Sequence, residues 1–300
     1  MIKLGILDFD TSHVTAFTQR LNHKGVDKDQ WVDGAEVVIG CPGKSEIMPE
    51  RIKGYTDAMT KLGVKLVDKP EDMLGKVDGM LIESQEGGVH YERAKPFLEA
   101  GLPCYIDKPF TCSVADARKI LELSEKKKAP VFSSSSLRYA PELVEFVADE
   151  KHGKIQGALT YGPAPIHEPD PRRNPGLYHY GIHAVEVLYT LMGPGCQRLA
   201  CTHEKDVDVV TGQWRDGRVA TVRGIRPKGD YGAIAFTDKG AKVVPIGTKY
   251  IYRELVRKIV EFFTNKKSPV EVAVMAEIVA FIEAANKSAL NHGAGEKVAP

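Results

Sequence analysis

The sequence predicts an α/β protein: an N-terminal doubly wound parallel sheet followed by a C-terminal α+β domain with an open mixed or antiparallel sheet. Three observations carry that reading. Short continuous apolar runs alternate with amphipathic ones through residue 132, and beyond the run Ser133-Ser134-Ser135-Ser136 the pattern changes to alternating stretches bounded by glycine and proline. A chain of 300 residues, 43% of them hydrophobic, is also long enough for two ordinary cores.

The first apolar run covers residues 2–7 and is followed by an amphipathic stretch at 14–21. The same succession gives strand and helix at 36–39 and 55–62, a strand at 64–67, pairs at 79–82 with 91–100 and 103–106 with 114–126, and a strand at 130–132. Continuous apolar strands separated by helices make a parallel sheet covered on both faces, with ligands at the carboxyl ends of the strands. The boundary falls there, giving domains 1–132 and 133–300. In the second domain, strands are expected at 155–161, 198–203, 208–214, 218–225, 232–237 and 242–245. An apolar helical run covers 184–192, and helices at 250–264 and 270–291 close the chain.

Composition narrows the function classes. Lys and Arg number 41 against 40 Asp and Glu, a formal charge of +1, so no basic footprint for nucleic acid exists. The triplet Lys126-Lys127-Lys128 is the solvated end of a helix. Five cysteines, odd in number and scattered, suggest neither a disulfide framework nor a zinc site and fit a reducing compartment. With no charged leader and no long apolar stretch, a cytoplasmic protein without a membrane partner is expected.

Two motifs carry chemistry. Cys104-Tyr105-Ile106-Asp107-Lys108-Pro109 sets one lysine at the end of a short apolar strand, before a proline that stops it. Gly176-Leu177-Tyr178-His179-Tyr180-Gly181-Ile182-His183 puts two histidines four residues apart ahead of a helix, so a helix reaching back to His179 would set both imidazoles on one face.

Together the two motifs resemble the glucose-fructose oxidoreductase / inositol dehydrogenase / MocA family of NAD(P)-dependent enzymes, over most of the chain. The resemblance implies a Rossmann-like dinucleotide-binding domain, a substrate-binding and oligomerisation domain, and catalysis by Lys108 and His183. Members usually carry Glu-Lys-Pro where this chain has Asp107-Lys108-Pro109, and an aspartate where it has His179. His179 therefore makes the substrate pocket more cationic when protonated, and Arg138, Tyr178, Tyr180, Arg172 and Arg173 are candidates to enclose a polar ligand.

The first turn departs most from such a fold. Gly-x-Gly-x-x-Gly lets a backbone approach a pyrophosphate at a helix N-terminus, whereas this chain reads Asp8-Phe9-Asp10-Thr11-Ser12-His13. Thr11 and Ser12 are expected to cap the helix. A cofactor in a shifted pose, a domain that has lost the dinucleotide, and a site for another ligand all remain open. After the second strand, Cys41-Pro42-Gly43-Lys44-Ser45 replaces the usual ribose-binding acid, so Lys44, Ser45 and Arg51 admit a 2′-phosphate or are ordinary surface charges. Ser84 and His90 border the expected nicotinamide edge, although His90 also suits a packing role.

Oxidising a secondary alcohol requires removal of its hydroxyl proton as hydride leaves carbon. His183 is the candidate base, and Lys108 the charge that steadies the alkoxide. The expected function is hydride transfer between NAD or NADP and a sugar, cyclitol or related polyol, by a homodimer or homotetramer joined through the C-terminal sheet. Two alternatives stand: a sugar-binding or regulatory protein without dinucleotide, and a glycoside hydrolase using transient redox chemistry. No metal is expected. The spacing of His179 and His183, with His167, Glu168 and Asp170 upstream, permits one, but the glutamate of His-Glu-x-x-His is missing.

Overall fold

The computed structural model describes residues 1–167 and 170–300; Glu168, a candidate metal ligand in the sequence, lies outside them. The chain forms two compact units.

The first unit comprises Met1–Thr111, Ala115–Ser134 and Tyr252–Val272. Its elements run β1 (Ile2–Leu7), α1 (His13–Leu21), β2 (Ala35–Cys41), α2 (Arg51–Lys61), β3 (Lys65–Leu66), β4 (Gly79–Ile82), α3 (His90–Glu99), β5 (Cys104–Ile106), α4 (Val114–Lys127) and β6 (Val131–Phe132). The sheet order is β3-β2-β1-β4-β5-β6, every pairing parallel. Burial explains the continuous apolar runs: all four residues of β4 and all three of β5 are buried, as a sheet covered on both faces requires. The strand order reverses between β1 and β4, which is where a doubly wound sheet opens a crevice at its carboxyl edge.

The second unit comprises Cys112–Val114, Ser135–Ile251 and Ala273–Pro300. It holds α5 (Pro141–Ala148), β7 (Ile155–Pro163), α6 (Ile182–Met192), β8 (Cys196–Glu204), β9 (Val207–Trp214), β10 (Val219–Ile225), β11 (Gly232–Thr237) and β12 (Gly240–Pro245). Helix α7 (Ile251–Asn265) precedes α8 (Val272–Leu290) and β13 (Glu296–Lys297). Sheet order is β12-β11-β7-β10-β9-β8-β13, with only β7 and β10 parallel, so the sheet is mixed.

Helix α7 returns to the first unit, which a division into two consecutive segments does not convey. Its apolar residues account for this: Phe262 lies 5.7 Å from the Phe132 ring, and Phe263 fills the space a side chain at Gly79 would need. Both phenylalanines are buried.

Candidate functional site

In the first unit, the candidate residues gather at the carboxyl ends of β1, β4 and β5. Asp8 leaves β1 with φ +64°, the left-handed conformation that a glycine adopts without strain. Its carboxylate accepts from Ser84 Oγ at 2.5 Å and from Arg93 Nε at 2.6 Å. Asp10 Oδ1 accepts from the Gln85 N–H at 2.9 Å. The aspartates thus tie the turn after β1 to the loop after β4, across the point where the strand order reverses. Burial pushes both carboxyls above the usual aspartate range, against the pull of Arg93 and Ser84 on Asp8 and of Ser45 and Gln85 on Asp10. The expected capping differs: the Ser12 side chain makes no cap hydrogen bond, and Thr11 Oγ1 lies 3.5 Å from the His13 N–H.

This turn does not provide the open glycine backbone of a typical pyrophosphate seat. It provides cations instead. Arg93, on α3, is one-third exposed and also donates to the Lys44 carbonyl at 3.3 Å, and Arg51, on α2, donates to Gln85 Oε1 at 3.2 Å. Lys44 is exposed and Ser45 half-buried, while Cys41 is buried in β2. Arg93, Arg51 and Lys44 are the cations that stand at this edge. Arg93 and Gln85 carry no motif signal, and only the topology brings them here.

Lys108 follows β5 and is buried, its backbone N–H donating to Asp107 Oδ1 at 2.7 Å. His13 Nδ1 lies 2.9 Å from both Asp107 oxygens and 3.9 Å from Glu83 Oε2. Burial alone would raise Asp107, but His13 and then Lys108 outweigh it and hold the carboxyl below its ordinary range. Burial, with Asp107 adding to it, drives Glu83 well above its ordinary range. His90 is a strut: its ring nitrogens sit 3.0 Å from the Phe110 carbonyl and 2.8 Å from the Ser84 carbonyl. It fixes the loop after β4 and has no ring nitrogen left to offer a cofactor.

In the second unit, His183 is the second residue of α6, and its Nδ1 lies 2.7 Å from Ser135 Oγ. Ser135 Oγ also accepts the Leu137 N–H, and the Ser135 N–H donates to Glu186 Oε1 at 3.1 Å. Arg138 donates to Glu186 Oε2 at 2.6 Å, and the buried Glu186 carboxylate steadies the serine. Ser135 was not singled out by the sequence, because a serine run carries no periodic signal.

Helix α6 does not reach His179. That residue follows the 3-10 turn Gly176–Tyr178, so the two imidazoles do not share a helical face. They belong to an aromatic row: ring centroids separate His167 and His179 by 5.7 Å, His179 and Tyr180 by 5.1 Å, Tyr180 and His183 by 5.8 Å, and His183 and Tyr231 by 5.8 Å. Tyr178 is a core residue, 1% exposed, whose hydroxyl donates to the Val279 carbonyl at 2.7 Å; it does not enclose a ligand. Arg172 is exposed and grips Asp170 with two hydrogen bonds, while the half-buried Arg173 meets the same carboxylate at 3.6 Å. Among the described residues, metal-ligand spacing occurs at His13, Glu83 and Asp107 and not around His179.

Comparison with known proteins agrees with this architecture. Residues 45–135 match the family model described as oxidoreductase family, NAD-binding Rossmann fold. The match begins beyond the aspartate-bearing turn. No curated protein matches the sequence. Among solved structures, an oxidoreductase from Thermotoga maritima is 18% identical with a TM-score of 0.76, covering 99% of this chain and 98% of that one. A myo-inositol dehydrogenase from Corynebacterium glutamicum is 14% identical, with a TM-score of 0.80 and coverage of 100% and 99%. A myo-inositol dehydrogenase from Lactobacillus casei in complex with NAD(H) and myo-inositol is 14% identical, with a TM-score of 0.78 and coverage of 100% and 97%. In sequence over residues 45–135, and in fold over its whole length, the chain resembles the glucose-fructose oxidoreductase / inositol dehydrogenase / MocA family of oxidoreductases.

Proposed function

We propose that this protein is an NAD(P)-dependent oxidoreductase acting on a secondary hydroxyl of a sugar, cyclitol or related polyol. One observation carries the reading: a buried lysine, Lys108, stands at the carboxyl end of a central strand of a doubly wound parallel sheet, where that fold binds its ligands. The likeness in fold to dehydrogenases, one of them crystallised with NAD(H) and myo-inositol, supports the same reading.

The nicotinamide, when bound, supplies the hydride acceptor or donor. Arg93, Arg51 and Lys44 meet the phosphate charge of the dinucleotide. Lys108 steadies the negative charge that develops on the substrate oxygen. His183 takes the hydroxyl proton. For this the Nδ1–H donates to Ser135 Oγ, which leaves the lone pair on Nε2 for the base. Glu186 holds the Ser135 backbone, and Arg138 holds Glu186, so these act as positioning residues. Self-association through the open face of the second sheet belongs to the same proposal.

The test is turnover of a polyol panel with NAD⁺ and NADP⁺, followed at 340 nm. Lys108→Ala and His183→Ala are each expected to lower kcat/KM by about 10²–10⁴. A wild-type protein that binds polyol but reduces neither cofactor would favour the non-catalytic alternative.

A further inference from the structure

Glu83, His13 and Asp107 form a group that the proposed reaction does not use. Glu83 is 0% exposed, and neither of its carboxyl oxygens has a hydrogen-bond partner. A buried carboxyl left this way pays its desolvation in full, whether ionised or protonated. Its Oε2 points toward His13 Nδ1, 3.9 Å away, and that nitrogen sits 2.9 Å from both oxygens of Asp107. One ligand atom from each residue lies within 4.8 Å of the others. Donors bonded at about 2.1 Å to one ion are about 3.4 Å apart in a tetrahedron and about 4.2 Å apart when trans, so the widest pair must close by about 0.6 to 1.4 Å to seat an ion.

We propose that His13, Glu83 and Asp107 bind one divalent transition-metal ion, of the Zn²⁺ or Mn²⁺ class, at the carboxyl edge of the parallel sheet. The donor set decides the class: one imidazole with two carboxylates is borderline in softness, favouring these ions over Ca²⁺ or Mg²⁺, which prefer oxygen alone. The imidazole is already fixed, stacked on Phe17 at 4.8 Å and met edge-on by Tyr252 at 5.1 Å, so little ordering is required on binding. Burial, with Asp107 adding to it, holds the Glu83 carboxyl up against the pull of Lys108, so a binding ion displaces the Glu83 proton and competes with the single charge of Lys108. Two ionised carboxylates outweigh it by one negative charge, which a divalent ion more than balances.

The test uses the full chain, stripped with chelator and titrated with ZnCl₂ and MnCl₂ by calorimetry at pH 7.5. Ions retained after gel filtration are counted by mass spectrometry. One ion per chain is expected, with a raised melting temperature. Glu83→Gln keeps the shape of the side chain and His13→Gln removes the imidazole; each is expected to weaken binding at least tenfold. Circular dichroism reports whether the variants fold, and Glu83→Gln carries the test alone if His13→Gln does not. No heat and no retained ion with either metal at 1 mM would overturn the proposal. So would one ion per chain bound with unchanged affinity in a folded Glu83→Gln protein, since the ion would then sit elsewhere, for example on His167 and His179.

Discussion

Asp8 and Asp10 show how single side chains can recast a turn. Asp8 keeps the φ of a glycine, at +64°, because short polar residues tolerate the left-handed region and because Ser84 and Arg93 hold its carboxylate. A carboxyl whose folded pKa is raised binds more protons in the native state. Its stabilising effect is therefore complete below the unfolded pKa and is lost as pH rises through the folded one. Burial raises Asp10, so Asp10→Asn, which keeps the acceptor for the Gln85 N–H, is expected to increase stability at pH 7.5. The gap in urea midpoint should close as pH falls toward 4, and a constant gap would assign the effect to packing. At this scale the sequence was only partly readable. Lys108 and His183 stood out because a strand-ending lysine and a helix-opening histidine have recognisable neighbours. Ser135 and Arg93 did not, because what they touch is set by tertiary contacts. The spacing of His179 and His183 suggested a shared helical face, but α6 starts only at Ile182.

The elements were the most legible level. The strands expected at residues 2–7, 79–82 and 232–237 are β1, β4 and β11. Other ends moved by one to four residues, as expected where terminal turns fray. Helix α5, eight residues long, and β13, two residues long, were not anticipated, since segments of that length give periodicity too few repeats to register. Nor does any pattern within α7 state which unit it packs against. Its phenylalanines do so in the structure, and Phe263, 1% exposed, faces Gly79 on β4. Phe263→Ala is expected to destabilise the protein by about 3–5 kcal/mol, read from urea denaturation. A loss below about 1 kcal/mol would mean that α7 adds little to the first unit's core.

At the scale of the whole molecule, the second sheet leaves apolar side chains in the open. Val219 and Phe236 both pair with Gly157 and so share a face, which Val243 joins by pairing with Ile234, two residues before Phe236. They are 47%, 45% and 76% exposed. Surface of this kind on a sheet is usually covered by a partner. Light scattering after gel filtration should find a dimer or tetramer for the wild type and a smaller species for Val243→Asp; a wild-type monomer would remove this part of the account. No helix of the described residues is long and apolar enough to cross a membrane.

A nicotinamide dinucleotide is expected to bind the first unit although its turn carries aspartates in place of glycines. Fluorescence titration of NADH and NADPH tests it most directly. Saturable binding of one equivalent per chain is expected, weakened about tenfold by Arg93→Met, which removes the cation beside Asp8 while keeping an apolar stem. Silence from both cofactors up to millimolar concentration, in a protein that is folded by circular dichroism, would contradict it.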